Sequence, residues 1–333
     1  MRKILVPGGA GFIGTHTVAA LEAAGFCVVV LDNLSNGHSD SFKEDGPLAA
    51  TFIKGDILDS TFLDEVFAQH KIDAVIHFAA FIEAGESVIA PLRFYKNNTT
   101  GSMTLLAAMQ RAGVKRMVFS STAAVYGQPE TNAPLAETLP KAPINPYGES
   151  KWATECMLRD CAAAHNLQAV ALRYFNAAGS DPEGRFGERH EPESHLIPLV
   201  LQAASGTRAS IKVFGTDYPT PDGTCIRDYI HVSDLADAHV KALLHLFDMP
   251  DNAGYYDAFN LGTGNGFSVR QVIETAKAVT GVDFAVVEES RRAGDPATLV
   301  ANANKAKTAL DWEPQYPSLE QMVAHAWSFL KDR

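Results

Sequence analysis

Cysteine is scarce in this chain: of 333 residues, only Cys27, Cys156, Cys161 and Cys225 carry a thiol. No two of them form a C-x-x-C pair and none stands at a zinc-ligand spacing, which argues against a disulfide framework and a structural metal. A reduced, cytoplasmic protein without a metal is the expectation. Long apolar runs are missing as well. Nothing approaches the roughly 20 residues of a membrane-spanning helix, and the opening "MRKILVPGG" is too short an apolar run for a signal peptide. Basic residues are the third shortage, with 28 Lys and Arg against 39 Asp and Glu and a formal net charge of −11. That balance argues against nucleic acid or an anionic membrane as partner, so an anionic ligand needs a local group of arginines. No internal repeat, low-complexity tract or linker divides the chain cleanly.

What is present has the texture of a globular protein, 46% hydrophobic and 20% charged, and long enough for two cores. Through the first half, short apolar runs alternate with longer amphipathic stretches. "KILV" (3–6), "CVVVLD" (27–32), "AVIHFA" (74–79), "RMVFSS" (116–121) and "AVALRYF" (169–175) read as buried strands. Stretches 13–24, 60–70, 98–112 and 148–165 read as helices between them. Near-continuous apolar strands separated by helices predict an α/β fold, with a parallel sheet covered on both faces. After about residue 176 the texture changes. "AAGSDPEGRFGERHEPESH" reads as a long loop leaving the sheet, and helical segments follow at 196–205, 233–248, 268–280 and 318–330.

"ILVPGGAGFIGTH" puts Gly8, Gly11 and Gly14 between the first strand and the first helix, with Phe12 and Ile13 inside the motif. Glycines there permit a tight turn and let a pyrophosphate approach the backbone, where a helix N-terminus offers unpaired N–H groups. Asp32, followed by Asn33, closes the next strand at the distance expected of an acid that bonds the adenosine ribose. A carboxylate at that point repels a 2′-phosphate, so NAD is expected rather than NADP. "GDI" adds Asp56 and Ile57 at a third strand end, where Asp56 can bond the adenine.

The strand at 116–121 runs into Ser120, Ser121 and Thr122, and "PYGESK" follows about 25 residues later. In an open parallel sheet, ligands lie beyond the carboxyl ends of the strands, so these hydroxyls and the Tyr147–Lys151 pair can converge on a nicotinamide. A free tyrosine titrates near 10, too high for a base at neutral pH. The Lys151 ammonium and a positive nicotinamide are both expected to lower that value. Tyr147 then removes a proton from a substrate hydroxyl as C–H hydride passes to NAD⁺, while Thr122 holds the same oxygen and Lys151 bonds the nicotinamide ribose.

With those elements in place, the chain resembles the extended short-chain dehydrogenase/reductase superfamily and, within it, the UDP-glucose 4-epimerase family. The likeness runs through "GGAGFIG", "LDNLSNG", "VIHFAA", "SSTAAVYG", "PYGESK", "LRYFNAAG", "YPTPDGTCIRDYIHVSDLADAH", "NLGTG" and "RRAGD". It implies a Rossmann-type doubly wound sheet with a smaller mixed α/β unit. The implied division is an NAD-binding domain of residues 1–176 plus about 228–262, interleaved with a UDP-sugar domain of about 177–227 plus 263–333. It implies that Asn97 contacts a tightly bound NAD, that Phe78, Ala79 and Ala80 line its groove, and that Phe175 sits at the nicotinamide end. Asn176, His195, Leu196, Phe214, Arg227, Arg292 and Asp295 are implied to hold UDP. Two arginines can neutralise a diphosphate, and a carboxylate can accept ribose hydroxyls. The activity implied is C4 epimerisation between UDP-glucose and UDP-galactose through a transient 4-keto sugar, in a homodimer joined near 98–112 and 148–165.

Several positions depart from the family pattern. Pro7 stands where threonine is usual, Thr122 where serine is commoner, and His195 where some relatives have Asn. Ile82 replaces a cofactor-contacting lysine of some relatives, which is expected to weaken NAD retention. Leu299 replaces a bulky tyrosine beside the sugar 2-substituent, so activity on UDP-GlcNAc and UDP-GalNAc is expected too. Ala123 and Ala124 lack the acid pair of a 4,6-dehydratase and argue against that rival. A dehydrogenase with exchangeable cofactor, a 4-epimerase of UDP-pentoses or UDP-uronates, and a non-catalytic NAD sensor remain the alternatives.

Overall fold

Continuous apolar runs, whose successive side chains point to opposite faces, build the central sheet. The computed structural model describes residues 1–130, 133–292 and 295–331. Its first six strands are β1 (Lys3–Pro7), β2 (Cys27–Asp32), β3 (Thr51–Lys54), β4 (Ala74–His77), β5 (Arg116–Ser120) and β6 (Gln168–Tyr174). They are joined by β10 (Tyr255–Leu261), and all seven run parallel in the order β10-β6-β5-β4-β1-β2-β3. Ile4, Val6, Val28, Val30, Ile76 and Val118 bury one face of this sheet. Leu5, Val29, Leu31, Val75, Met117 and Phe119 bury the other. The strand order reverses between β1 and β4, the switch point at which such sheets open a ligand crevice.

The helices of this unit are α1 (Phe12–Ala23), α2 (Ser60–His70), the short α3 (Ala84–Ile89) and α4 (Pro91–Phe94), α5 (Gly101–Ala112) and α6 (Pro146–His165). Helix α8 (Val232–Phe247) packs beside α1 against the Val6 face, while α2, α5 and α6 cover the Leu5 face. The sequence reading of one helix over 98–112 needs adjustment. A π-helical turn, Tyr95–Thr100, precedes α5 and carries the buried Asn98. Strand "AVIHFA" also ends early, because Phe78 and Ala79 turn away and both donate to the Pro7 carbonyl, at 2.8 and 2.9 Å. Pro7 ends β1 and pairs with Leu31 of β2, a strand-end place where a missing N–H is tolerated.

The rest of the chain forms a smaller unit. Strands β7 (Asn176–Ala178), β9 (Ile226–His231), β11 (Gly266–Ser268) and β13 (Thr298–Leu299) make one sheet, and β8 (Ile211–Phe214) pairs with β12 (Val286–Glu289). Helices α7 (Leu196–Ala204), α9 (Val269–Thr280) and α11 (Leu319–Lys331) enclose its core with Tyr229 and Phe284. Helix α10 (Asn304–Leu310) and Trp312 return to the core shared by α1 and α8.

Candidate active site

The turn from β1 to α1 has no room for a side chain at two glycines. At Gly8, with φ +80°, a Cβ would lie 2.4 Å from the Ala79 backbone nitrogen, and at Gly14 it would lie 2.3 Å from the Gly8 carbonyl. Helix α1 begins at Gly11 without a side-chain cap, which leaves its first N–H groups facing the cleft. At the end of β2, Asp32 accepts from Ala10 N–H at 3.0 Å and Leu34 N–H at 2.8 Å. Burial holds its carboxyl above the ordinary value. Leu31, Asp32, Asn33, Ile57, Ala79, Ala80 and Asn97 line a side recess of about 320 Å³. Asp56 stands behind it, receiving the Asn33 amide at 3.1 Å. A glycine cradle that a Cβ would fill, an uncapped helix start and an acid at the next strand end fit a dinucleotide diphosphate and ribose.

The main cleft, of about 1540 Å³, runs from this turn along the carboxyl ends of the strands. Its walls bring together Gly8, Gly11, Phe12, Ile13, Gly14, Phe78, Thr122, Tyr147, Lys151, Phe175, Asn176 and His195. Asn145 caps α6 by accepting from Gly148 N–H at 2.9 Å, and Pro146 takes the first helical position. Tyr147 and Lys151 therefore sit one turn apart on the face toward β5. The Thr122 hydroxyl acts on the Tyr147 hydroxyl and favours its ionised form. Lys151 donates from Nζ to the Ser120 carbonyl at 2.9 Å. Ser120 Oγ and the Tyr174 hydroxyl lie 2.6 Å apart.

The electrostatics differ from the sequence expectation. Burial pushes the Tyr147 hydroxyl up to about 12, with the Thr122 hydrogen bond pulling it partly back. Burial pushes the Lys151 ammonium down to about 7, with the Glu155 carboxylate opposing. His195 goes the other way. Its Nδ1 lies 2.7 Å from Glu188 and 3.3 Å from Glu193, and the two carboxylates outweigh burial to raise it to about 10.

The remaining positions named from sequence form a second group outside the cleft lining. Leu196 opens α7 and packs into the smaller core. Arg292 stacks 4.5 Å over the Phe214 ring at the end of β8. Arg227 donates from Nη1 to the Ile226 and Pro296 carbonyls, each at 2.9 Å, and Nη2 lies 3.6 Å from Asp295. Leu299 pairs with Arg227 across β13 and β9, and packs with Phe175 on the Ala123–Tyr126 turn that follows Thr122. Ala293 and Gly294 of the "RRAGD" motif lie outside the described residues.

Three features were not read from the sequence. Asn98 donates to the Phe81 carbonyl and to Ser150 Oγ, both at 3.0 Å, and accepts from Phe81 N–H at 2.9 Å, tying the loop after β4 to α6. Beneath the cleft, Glu155 and Arg173 form a buried ion pair that also holds Ser121, Tyr126 and Tyr256. Residues 186–190, read only as a loop, form part of the cleft wall. The composition of that loop hides its role, whereas the N-N pair at 97–98 offered a usable signal.

Comparison with known proteins gives consistent neighbours. A family profile described as "NAD dependent epimerase/dehydratase family" matches residues 4–262. The chain is 54% identical over 329 residues to a UDP-glucose 4-epimerase of Halalkalibacterium halodurans, spanning 99% of this chain and 96% of that protein. It superposes on a UDP-glucose 4-epimerase from Brucella ovis in complex with NAD with a TM-score of 0.93 at 44% identity, covering 98% of each chain. A UDP-glucose 4-epimerase from Bifidobacterium longum, in complex with NAD+ and UDP, gives a TM-score of 0.93 at 37% identity, with 100% of this chain and 99% of that one covered.

Proposed function

The chain belongs to the NAD dependent epimerase/dehydratase family, and from that membership we propose that it interconverts UDP-glucose and UDP-galactose at C4 on a tightly bound NAD. The observation that carries the reading is the convergence of Thr122, Tyr147 and Lys151 on the same cleft as the glycine turn and Asp32. Gly8, Gly11, Phe12, Ile13, Gly14, Asp32, Asn33, Asp56, Ile57, Phe78, Ala79, Ala80, Asn97 and Phe175 would hold the cofactor. NAD, when bound, supplies the oxidant and then the reductant at sugar C4, and sets a positive ring beside Tyr147.

Tyr147 takes the proton of the 4-hydroxyl and later returns it. Thr122 holds the same oxygen. At neutral pH an unassisted Tyr147 is a phenol, the form that returns the proton, so the positive charges beside it decide when it accepts one. Arg227, Arg292, Asp295, Asn176, Leu196, Phe214 and the His195 imidazolium at the start of α7 hold UDP, leaving the 4-keto sugar to turn about its diphosphate link. Leu299 on the Ala123–Tyr126 turn leaves space beside the sugar, so UDP-GlcNAc and UDP-GalNAc are substrates as well.

The NAD-binding unit is taken as residues 1–176 plus about 228–262, and the UDP-sugar unit as about 177–227 plus 263–333. Four free thiols support a cytoplasmic setting. A homodimer joined through α5 and α6 is supported by exposed Met103 and by the Met- and Leu-lined groove of about 1110 Å³ between those helices. The deciding experiment is incubation of the purified protein with UDP-galactose and no added NAD, followed by chromatography of the UDP-sugars. The expected result is an equilibrium mixture dominated by UDP-glucose, abolished by orders of magnitude in Tyr147→Phe although NAD stays bound. Near-normal turnover in that variant refutes the assigned base.

A further inference from the structure

The segment after β7 does more than leave the sheet. It is anchored first at Asp181, which accepts from Arg185 N–H at 3.1 Å and pairs with its guanidinium, and by Phe186, set edge-on to His16 of α1 at 4.8 Å. It is anchored again at the start of α7, where Glu193 accepts from the N–H groups of Ser194 and His195 at 2.7 and 2.8 Å. Between these points, Gly187, Glu188, Arg189 and His190 line the same cleft as the glycine turn.

Two ion pairs tie this span to opposite rims. Arg189 Nη1 lies 3.0 Å from Asp40, in the 3₁₀ turn Ser39–Phe42 after β2, and the Arg189 carbonyl lies 3.0 Å from His38 Nε2. His190 Nε2 lies 2.9 Å from Glu83, in the loop after β4, and the Asn36 amide reaches the same carboxylate at 3.4 Å. The rims belong to the loops after β2 and β4, on the two sides of β1, so the span crosses the crevice at the switch point. The pair at Glu83 is the better sheltered: its side chains are 11% and 21% exposed, against 25% and 57% for Arg189 and Asp40.

We propose that residues 187–190 form a strap over the cofactor cleft, and that the Glu83–His190 pair is the latch that sets how long the dinucleotide stays bound. The proposal rests on the NAD reading of the cleft. A dinucleotide between the glycine turn and the strap is covered by it and leaves only when a tether opens. The Asp40–Arg189 pair is solvated and contributes little by itself. The latch draws its strength from partial burial and from the backbone anchors on either side.

The test is NAD release from the purified holoprotein, diluted into excess isotopically labelled NAD and followed by mass spectrometry. Glu83→Gln and His190→Gln are each expected to release NAD about tenfold faster, and the double variant no faster than either, since partners in one interaction do not add. Asp40→Asn is expected to change the rate less than about threefold. The charge-exchanged pair Glu83→Lys with His190→Glu is expected to restore slow release, an outcome that general loss of structure cannot produce. Single variants within about twofold of the parent rate, or single effects that multiply in the double, overturn the latch. A parent protein that neither retains nor takes up NAD overturns the cofactor reading and the strap together.

Discussion

Replacing Glu155 by Gln removes one charge from the least solvated ion pair among the described residues. Glu155 is 0% exposed and Arg173 3%. Both carboxylate oxygens are in use: Oε1 accepts from Ser121 Oγ at 2.5 Å and Arg173 Nε at 3.0 Å, and Oε2 from Arg173 Nη2 at 2.5 Å and the Tyr256 hydroxyl at 2.8 Å. Glutamine keeps the volume but leaves a buried guanidinium without its counter-charge and sets an amide N–H against donors. Breaking one side of a buried pair costs about 3–5 kcal/mol. At roughly 2.1 cal/mol/K per residue, 333 residues give an unfolding entropy of about 0.7 kcal/mol/K, so the melting temperature should fall by about 4–7 °C. Removing both charges, as Glu155→Leu with Arg173→Met, should recover at least half of that loss, because no charge is then stranded.

A catalytic effect accompanies the thermal one. Ser121 precedes Thr122, and Glu155 follows Lys151 by one turn and holds its ammonium up. In Glu155→Gln the Lys151 ammonium is lost at lower pH, so the alkaline side of the rate profile should move down in pH. Thermal unfolding followed by tryptophan fluorescence, together with rate against pH, checks both effects. A melting shift under about 1 °C, or a double variant no more stable than the single, refutes the reasoning.

Gly14→Ala sets a Cβ 2.3 Å from the Gly8 carbonyl and should reduce co-purifying NAD to less than about a tenth, read from the 260/280 nm absorbance ratio. Leu299→Tyr should lower turnover of UDP-GlcNAc relative to UDP-glucose, and undiminished N-acetyl activity refutes the pocket reading. Acid should destabilise the protein well above the usual carboxylate range. Burial keeps His16 and His239 at about 4, and His77 and His231 at about 3, against 6.5 when free. Below pH 6.5 the unfolded chain therefore binds more protons than the folded one, and stability falls with pH. Asp234, raised to about 6, opposes by one proton. Net uptake of about three protons corresponds to about 4 kcal/mol per pH unit near pH 5, measurable by urea unfolding at pH 7 and pH 5.

The runs at 3–6, 27–32, 74–79, 116–121 and 169–175 were legible as strands because a sheet covered on both faces needs continuous apolar segments. Strand β10 was not, since "YYDAFNL" carries Asp257 and Asn260, whose polar groups are matched only in the fold. Asp257 meets Lys305, and Asn260 meets Tyr126 and the Leu135 carbonyl. The small strands β7, β11 and β13, of two or three residues each, are too short to leave a period. The glycine turn, Asp32, Thr122, Tyr147 and Lys151 were legible because each meets a local demand: a tight turn, a strand end, one helical turn of spacing. The direction of the Tyr147 shift was not, because desolvation depends on what packs around a hydroxyl rather than on its neighbours in the chain.

The amino-acid sequence by itself determined the parallel sheet, the glycine turn and the tyrosine–lysine pair, since periodicity and short spacings act within one element. Only the tertiary structure decided the pairings that act across long separations: Glu155 with Arg173, Asn98 with Ser150, and His190 with Glu83. The chain alone gives those polar groups no partner, and packing decides which of them share a buried site. There, burial makes a missing partner expensive and a present one worth keeping.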